Sequence, residues 1–287
     1  MKMPHHQKRM VRLLSLRLLH LAASEIAARE LTRSALVFSP HPDDESLACG
    51  GTIIKKRRAG ASVKVVHMTD GSASTTLIPR EELAAIRKRE SLNAGRVLGV
   101  NGTYFLDFPD SKLSKHLSPA TDRVVEIFEQ ESPEEVFMPH AREPARQAAD
   151  HLAATMIVQA ALQRYQRRVT IWEYPVWYWL HWPWVRFAQK GPPIKTRHIL
   201  RNSLESLFGA RDFIELTSSV HIGDVLAQKR AALAQHRSQM EQFVPDARWV
   251  TLAQLSKGDF LECFDQDREF FHRYEYRRSG GTTRSRF

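Results

Sequence analysis

The chain has 287 residues, enough for one sizeable domain whose core needs no disulfide or metal to hold it. Its only two cysteines, Cys49 and Cys263, are far apart and have no CxxC spacing. This excludes a disulfide framework and a thiolate metal site, and it favours a reducing, cytoplasmic compartment. The net charge is +10, from 42 Lys and Arg against 32 Asp and Glu, but no nucleic-acid recognition motif accompanies it. We therefore expect no nucleic-acid partner.

Residues 1–33 predict an N-terminal basic amphipathic helix. Arg12, Arg17 and His20 interrupt its apolar run, which excludes a signal-peptide core and a membrane span of about 20 apolar residues. The apolar residues available to one face are Leu13, Leu14, Leu18, Leu19 and Leu21. Such a face either docks on the domain, which we favour, or lies on a membrane surface.

From Ala35 onward, short apolar runs alternate with helical patterns. The predicted strands are 35–38, 63–67, 103–106, 136–138 and 169–173, and the predicted helices are 47–58, 80–98, 119–130 and 148–165. Strands and helices that alternate at these lengths are typical of βαβ units. We expect an α/β fold with a mostly parallel sheet and helices on both faces.

No internal repeat or low-complexity linker divides the chain, so we predict one domain over residues 34–265. Residues 174–212 break the alternation and are interpreted as an aromatic insertion or lid. The arginine-rich residues 266–287 are interpreted as a basic C-terminal tail.

The motif SPHPDDE, residues 39–45, directly follows the first predicted strand. Three successive acids repel one another, and carboxylates near a core are costly unless a positive charge neutralises them. Polar residues also follow the next strands, at 69–71, 107–110 and 139–140. Because ligand groups collect beyond the carboxyl ends of strands in open α/β sheets, we expect a cation site at this edge.

His41 and Asp44 are three residues apart on a tight turn, so both side chains can reach one ion. A catalytic zinc usually takes three protein ligands, and the pair Asp150–His151 is the best source of the third. Asp43 stands beside Asp44 and could take a proton from an attacking water as general base. The alternative is that Asp43 or Asp44 only caps the following helix.

The longer stretch SPHPDDESLACGGTI resembles the signature of the PIG-L (LmbE-like) N-acetylglucosaminyl deacetylases. Further matching segments follow in the family's order and cover most of residues 35–240. They are Thr69-Asp70-Gly71, Arg87-x-x-Glu90, Phe108-Pro109-Asp110, Asp150-His151, and Lys229 with His236-Arg237-Ser238-Gln239.

The resemblance implies a Rossmann-like fold. It also implies an enzyme that removes acetyl from an N-acetylated amino sugar in glycan, glycolipid or secondary-metabolite synthesis. It implies Zn2+, or another divalent metal, bound by the residues matching His41, Asp44 and His151. It assigns the general base to the residue matching Asp43. Arg87 and Asp110 match positions that contact sugar hydroxyls.

One departure from the family concerns its His-Pro-Asp-His motif, which reads Ala148-Ala149-Asp150-His151 here. The first histidine, which helps to stabilise the oxyanion or to protonate the amine, is therefore missing. His140, Arg142 and His236 are candidates to replace it, and we list His140 and His236 as catalytic candidates. The loss also leaves an alternative, a catalytically weak sugar- or membrane-binding member of the fold.

The segment 172–184 contains five of the six tryptophans. Aromatic rings stack on sugars and favour membrane interfaces, so we expect sugar or lipid contact, with lid packing or an oligomer contact as the alternative. Basic residues nearby would suit the phosphates of a lipid- or nucleotide-linked amino sugar: Arg186, Lys190, Lys195, Arg197 and Arg201. Peripheral membrane contact is a further expectation.

Overall fold

Successive side chains of the first core strand enter two different apolar clusters. Ala35 and Val37 pack into one cluster, and Leu36 and Phe38 pack into the other. A strand whose two faces are both buried must lie inside a sheet that is covered on each side. The structure, a computed structural model, describes residues 5–165, 167–187 and 194–276, with side chains from residue 7.

Eight strands form one sheet in the order β1-β7-β8-β6-β5-β2-β3-β4. The strands are β1 Ser24–Glu25, β2 Ala35–Ser39, β3 Val63–Thr69, β4 Gly102–Phe108, β5 Glu135–Pro139, β6 Val169–Tyr174, β7 Ser218–His221 and β8 Arg268–Tyr276. Strands β6, β5, β2, β3 and β4 are mutually parallel, whereas β8 runs antiparallel to β6 and β7.

Helices cover both faces of this sheet. They are α1 His5–Ala22, α2 Ala28–Leu31, α3 Asp44–Arg58, α4 Arg80–Leu98, α5 Leu117–Glu131, α6 Ala149–Arg164, α7 Thr196–Glu205, α8 Asp212–Glu215, α9 Leu226–Leu233, α10 Arg237–Met240 and α11 Asp259–Glu262. Helices α3 and α9 share one apolar cluster, and α5 and α6 share the other. The predicted α/β fold with a mostly parallel sheet is confirmed, as are its five predicted strands and four predicted helices.

The C-terminal region departs from the sequence interpretation. Residues 268–276 form β8 inside the sheet and do not belong to a basic tail. The arginines and glutamates of this segment are typical of an exposed tail, so the sequence does not indicate a strand. Phe270 and Phe271, which lie between these charges, are buried in the core. The rest of the predicted tail, 277–287, lies outside the described residues.

The N-terminal helix is shorter than the predicted 1–33 and ends at Ala22. It docks on the domain through Leu16 and Leu19, and Arg12 forms an ion pair with Asp259 at 2.5 Å. The favoured expectation, docking on the domain, agrees with these contacts. The buried face differs from the predicted one, because four of the five leucines assigned to it are exposed: Leu13, Leu14, Leu18 and Leu21.

The aromatic segment packs mainly into the protein. Trp172, Trp179 and Trp184 are buried in the same cluster as α3, and Trp177 is half-buried. These three indoles are therefore unavailable to lipid. The expectation of lipid contact is wrong for these three side chains, which pack in the core. Lys190 lies outside the described residues.

Candidate active site

The turn after β2 presents two acids at the amino end of α3. The helix begins at Asp44, and Asp43 precedes it with φ of 144°, a region that residues other than glycine rarely adopt. Such strain persists where surrounding contacts over-determine the backbone. Here the backbone N–H of Asp43 donates to Oε2 of buried Glu45 at 3.1 Å. The turn thereby holds Asp43 and Asp44 side by side.

Three side chains converge at the carboxyl edge of the sheet. Nδ1 of His41 lies 3.4 Å from Oδ2 of Asp44, and Nε2 of His151 lies 3.3 Å from the same oxygen. One ligand atom from each residue falls within 4.8 Å of the other two. His151 enters from the first turn of α6, which follows β5, the strand beside β2. Neighbouring parallel strands thus bring distant segments together.

The remaining nitrogen of each histidine faces a carboxylate. Oε2 of Glu143 lies 2.9 Å from Nδ1 of His151. Asp110 and Asp150 each place an oxygen 3.4 Å from Nε2 of His41. Carboxylates in such positions fix the tautomer and the ring orientation of metal-binding histidines.

Two imidazole nitrogens and one carboxylate fit a catalytic zinc site, which keeps a further position open. His41, Asp110 and Asp150 form a second group with ligand atoms within 4.8 Å of one another. Both oxygens of Asp150, however, already accept backbone N–H groups, from Ser111 at 2.6 Å and from Leu113 at 3.1 Å. The second group therefore fits the orientation of His41 better than it fits an ion.

The pKa values of Asp44 and His151 are set by the charges of the neighbouring side chains. Burial opposes the charge on Asp44, but His151 and His41 outweigh it and hold the pKa of Asp44 well below its ordinary value. Burial likewise lowers the pKa of His151, whereas Asp44 and Glu143 together raise this pKa to about 9. The histidine protons thus supply positive charge that the buried carboxylates require and that a cation would replace.

Residues 36–162 match the sequence profile of the PIG-L family, described as GlcNAc-PI de-N-acetylase. Diacetylchitobiose deacetylase of Thermococcus kodakarensis is 34% identical over 121 residues, 42% of this chain and 45% of that protein. The probable N-acetyl-alpha-D-glucosaminyl L-malate deacetylase 2 of Bacillus cereus is 27% identical over 225 residues, 75% of this chain and 88% of that protein. Residues 36–162 are therefore a PIG-L family domain.

A solved structure shows the same fold over nearly the whole chain. N,N'-diacetylchitobiose deacetylase from Pyrococcus horikoshii superposes with a TM-score of 0.60 at 22% identity, covering 95% of this chain and 94% of that chain. The likeness extends the common fold beyond the segment that matches the PIG-L profile.

The PIG-L domain places Asp43 next to the cluster in a buried position. Oδ2 of Asp43 lies 3.2 Å from a guanidinium nitrogen of Arg87. Burial raises the pKa of Asp43 to about 6, against the opposing charge of Arg87 and with a further increase from Asp44. A carboxyl group with a pKa close to neutral pH is suited to proton transfer.

Arg87 and Asp110, the expected sugar contacts, both lie at this edge of the PIG-L domain. Arg87 is buried and donates to the carbonyl oxygens of Gly71 and Pro42. A Cβ at Gly71, where φ is +66°, would approach a guanidinium nitrogen of Arg87 to 2.8 Å, so this position requires glycine. Asp110 accepts the backbone N–H of Ala73 at 2.8 Å. Sugar contact by either side chain stays a prediction.

The two histidines expected to replace the missing one sit in different surroundings. Nε2 of His236 lies 3.0 Å from Oε1 of Glu45. Glu45 also accepts the backbone N–H of Asp43, so His236 is linked to Asp43 through this carboxylate. Nε2 of His140 lies 3.6 Å from Glu215 and 3.9 Å from Glu173. Among the contacts of the described residues, none joins His140 to the three candidate ligands.

The sequence analysis assigned no role at the candidate metal cluster to three residues of the site. Glu143 orients His151, Glu45 anchors the turn, and the indole N–H of Trp177 donates to Nε2 of His151 at 3.1 Å. Glu45 belongs to the quoted motif and could have been suspected. Glu143 and Trp177 follow no spacing rule, because only the folding of two loops brings them to α6.

Proposed function

We propose that this protein is a metal-dependent hydrolase that removes acetyl from an N-acetylated amino sugar of the N-acetylglucosamine type. The observation that carries this proposal is the position of Asp43, which adjoins Asp44 and is paired with Arg87, outside the candidate group His41–Asp44–His151. The PIG-L profile and the two deacetylase relatives support the same reaction.

Hydrolysis of an acetamide requires an activated water, a polarised carbonyl and a proton for the leaving nitrogen. A divalent cation held by His41, Asp44 and His151 would supply Lewis-acid polarisation of the carbonyl when bound. Asp43 takes the proton of the attacking water while the water oxygen bonds to the acetyl carbon. As the C–N bond breaks, that proton passes to the nitrogen, leaving acetate and a free amino sugar.

The direct test measures acetate release from a panel of N-acetylated sugars, free, nucleotide-linked and lipid-linked, with zinc and with a chelator. We expect release that depends on zinc and is lost in Asp43→Asn. Calorimetric sugar binding without acetate release from any substrate would instead favour the alternative, a catalytically weak sugar-binding member of the fold.

We also propose that α1 brings the protein to an anionic membrane surface that carries a lipid-linked substrate. Four leucines of α1 are exposed: Leu13, Leu14, Leu18 and Leu21. Arg9 and Arg17 on the same helix are exposed as well, and the chain carries a net charge of +10. An apolar face flanked by arginines suits the headgroup region of an anionic bilayer. No described helix is long and apolar enough to cross a membrane.

Co-sedimentation with vesicles tests this surface. Wild type should pellet with phosphatidylglycerol vesicles at low salt, less at high salt, and not with phosphatidylcholine vesicles. The double variant Leu14→Glu/Leu18→Glu should stay in the supernatant. Leu92→Glu, on an exposed position of α4, is the matched control and should bind like wild type. Equal recovery of wild type and the double variant contradicts the proposal.

A further inference from the structure

The indole N–H of Trp177 points at the nitrogen of His151 that faces the candidate metal cluster. Trp177 lies in the short turn Trp177–Trp179 after β6, and its Nε1 donates to Nε2 of His151 at 3.1 Å. The indole stacks on Phe260 with 5.2 Å between ring centroids, and it packs against the core. These contacts fix the direction of the N–H group.

The two nitrogens of His151 have different tasks. Nδ1 lies 2.9 Å from Oε2 of Glu143, and this carboxylate contact leaves Nε2 as the nitrogen for a metal. Nε2 gives its lone pair to a cation held with Asp44 once that cation replaces the proton, and Nε1 of Trp177 lies 3.1 Å from the same nitrogen. An indole N–H is a donor only, and a buried donor without a partner is destabilising.

With a cation on Nε2, the Trp177 N–H has no acceptor on His151. The donor is then available to a substrate oxygen that is held at the same cluster. Amide hydrolysis needs such a donor for the charge that develops on the carbonyl oxygen, and Ala148 before α6 supplies none. His236 is paired with Glu45, and His140 faces Glu215 and Glu173.

We infer that Trp177 is a catalytic residue whose indole N–H donates to the acetyl carbonyl oxygen and stabilises the negative charge that develops there. The inference rests on the proposed deacetylase function. Attack of water on the carbonyl carbon moves the π electrons onto this oxygen, and the N–H bond stays intact throughout. The hydrogen bond strengthens as the charge grows, which lowers the barrier and changes substrate affinity little.

Trp177→Phe keeps a ring against Phe260 and removes only the donor. Loss of one oxyanion donor typically lowers kcat about 100- to 1,000-fold, so we expect that loss with KM within about threefold and zinc affinity unchanged. Trp182→Phe is the matched control, since this half-buried ring stacks on Phe187 away from the cluster. If Trp177→Phe fails to fold, benzothienylalanine at position 177 preserves ring size and still lacks the N–H.

A second readout does not depend on activity. The 15N-labelled metal-free protein should give six indole N–H signals, one for each tryptophan, and Trp177→Phe identifies the signal of residue 177. We expect this signal to shift when zinc is added, because the ion changes the bonding and charge of Nε2 of His151, 3.1 Å from the indole nitrogen. It should shift again with saturating acetate, whose oxygen offers a new acceptor.

Three results would overturn the inference. The first is wild-type kcat in Trp177→Phe. The second is an indole signal of residue 177 that does not shift when zinc or acetate is added. The third is a drop in zinc affinity that accounts for the whole loss of kcat, which would make Trp177 a positioning residue for His151. Absence of acetate release by wild type from the entire panel is a different failure and would refute the proposed function itself.

Discussion

Oε2 of Glu143 lies 2.9 Å from Nδ1 of His151, and both side chains are fully buried. The other oxygen of Glu143 accepts the backbone N–H of Val176 at 2.6 Å. One carboxylate therefore joins the loop after β5, the first turn of α6 and the segment that carries Trp177. The orientation of a candidate metal ligand depends on a residue that is not itself a ligand.

Glu143→Ala should weaken zinc binding about 10- to 100-fold, the usual effect of removing the carboxylate partner of a metal-binding histidine. Glu143→Gln keeps an oxygen acceptor and should lose less. Zinc affinity is measured by competition with a chromogenic chelator. Glu126→Ala is the control, because this exposed side chain forms an ion pair with Arg123 on α5. Wild-type zinc affinity in Glu143→Ala would show that the contact is purely structural.

Asp43→Asn should retain zinc and slow hydrolysis about 100-fold or more, the scale of a lost general base. His41→Ala should instead lose the metal, because His41 supplies one of the three candidate ligand atoms. Metal content by mass spectrometry and acetate release are measured on the same samples. Equal metal loss in both variants would make Asp43 a ligand.

Arg87→Ala should lower kcat and the melting temperature together. Arg87 lies 3.2 Å from Asp43 and donates to the carbonyl oxygens of Gly71 and Pro42, so its loss disturbs the base and two turns at once. Steady-state kinetics and thermal unfolding measure the two effects. A rise in KM with normal kcat and stability would favour the sugar contact that the family resemblance implies.

His140 should make the protein sensitive to acid. Burial and the charges of His272 and Arg142 lower its pKa from 6.5 to about 3. Between these values the unfolded chain binds a proton that the folded chain does not, so the free energy of unfolding falls as the pH falls through this window. Glu173 acts in the opposite direction, because burial raises its pKa.

The comparison of His140→Gln with wild type isolates this contribution. Melting temperatures between pH 7 and pH 4 should fall less steeply in the variant, and the exposed His221→Gln should keep the wild-type slope. Parallel slopes for wild type and His140→Gln would contradict the assignment of a buried neutral histidine.

The sequence alone determined the central strands of the sheet and the candidate metal and base residues of the site. Apolar runs and helical periods are local properties, so the strand at 35–39 and the helix at 80–98 follow from the residues that form them. His41, Asp43 and Asp44 occupy one turn, and the grouping of His151 with them follows from the rule that carboxyl ends of parallel strands share an edge.

The tertiary structure alone decided which further side chains contact these candidate residues. Glu143 and Trp177 reach His151 because two loops fold over α6, and no sequence period encodes a contact between loops. Strand β8 pairs antiparallel at long range, and its buried phenylalanines alternate with charges that resemble a solvated tail. Packing also turned the tryptophan-rich segment inward, since burial depends on the surface available to cover a ring and not on the ring itself.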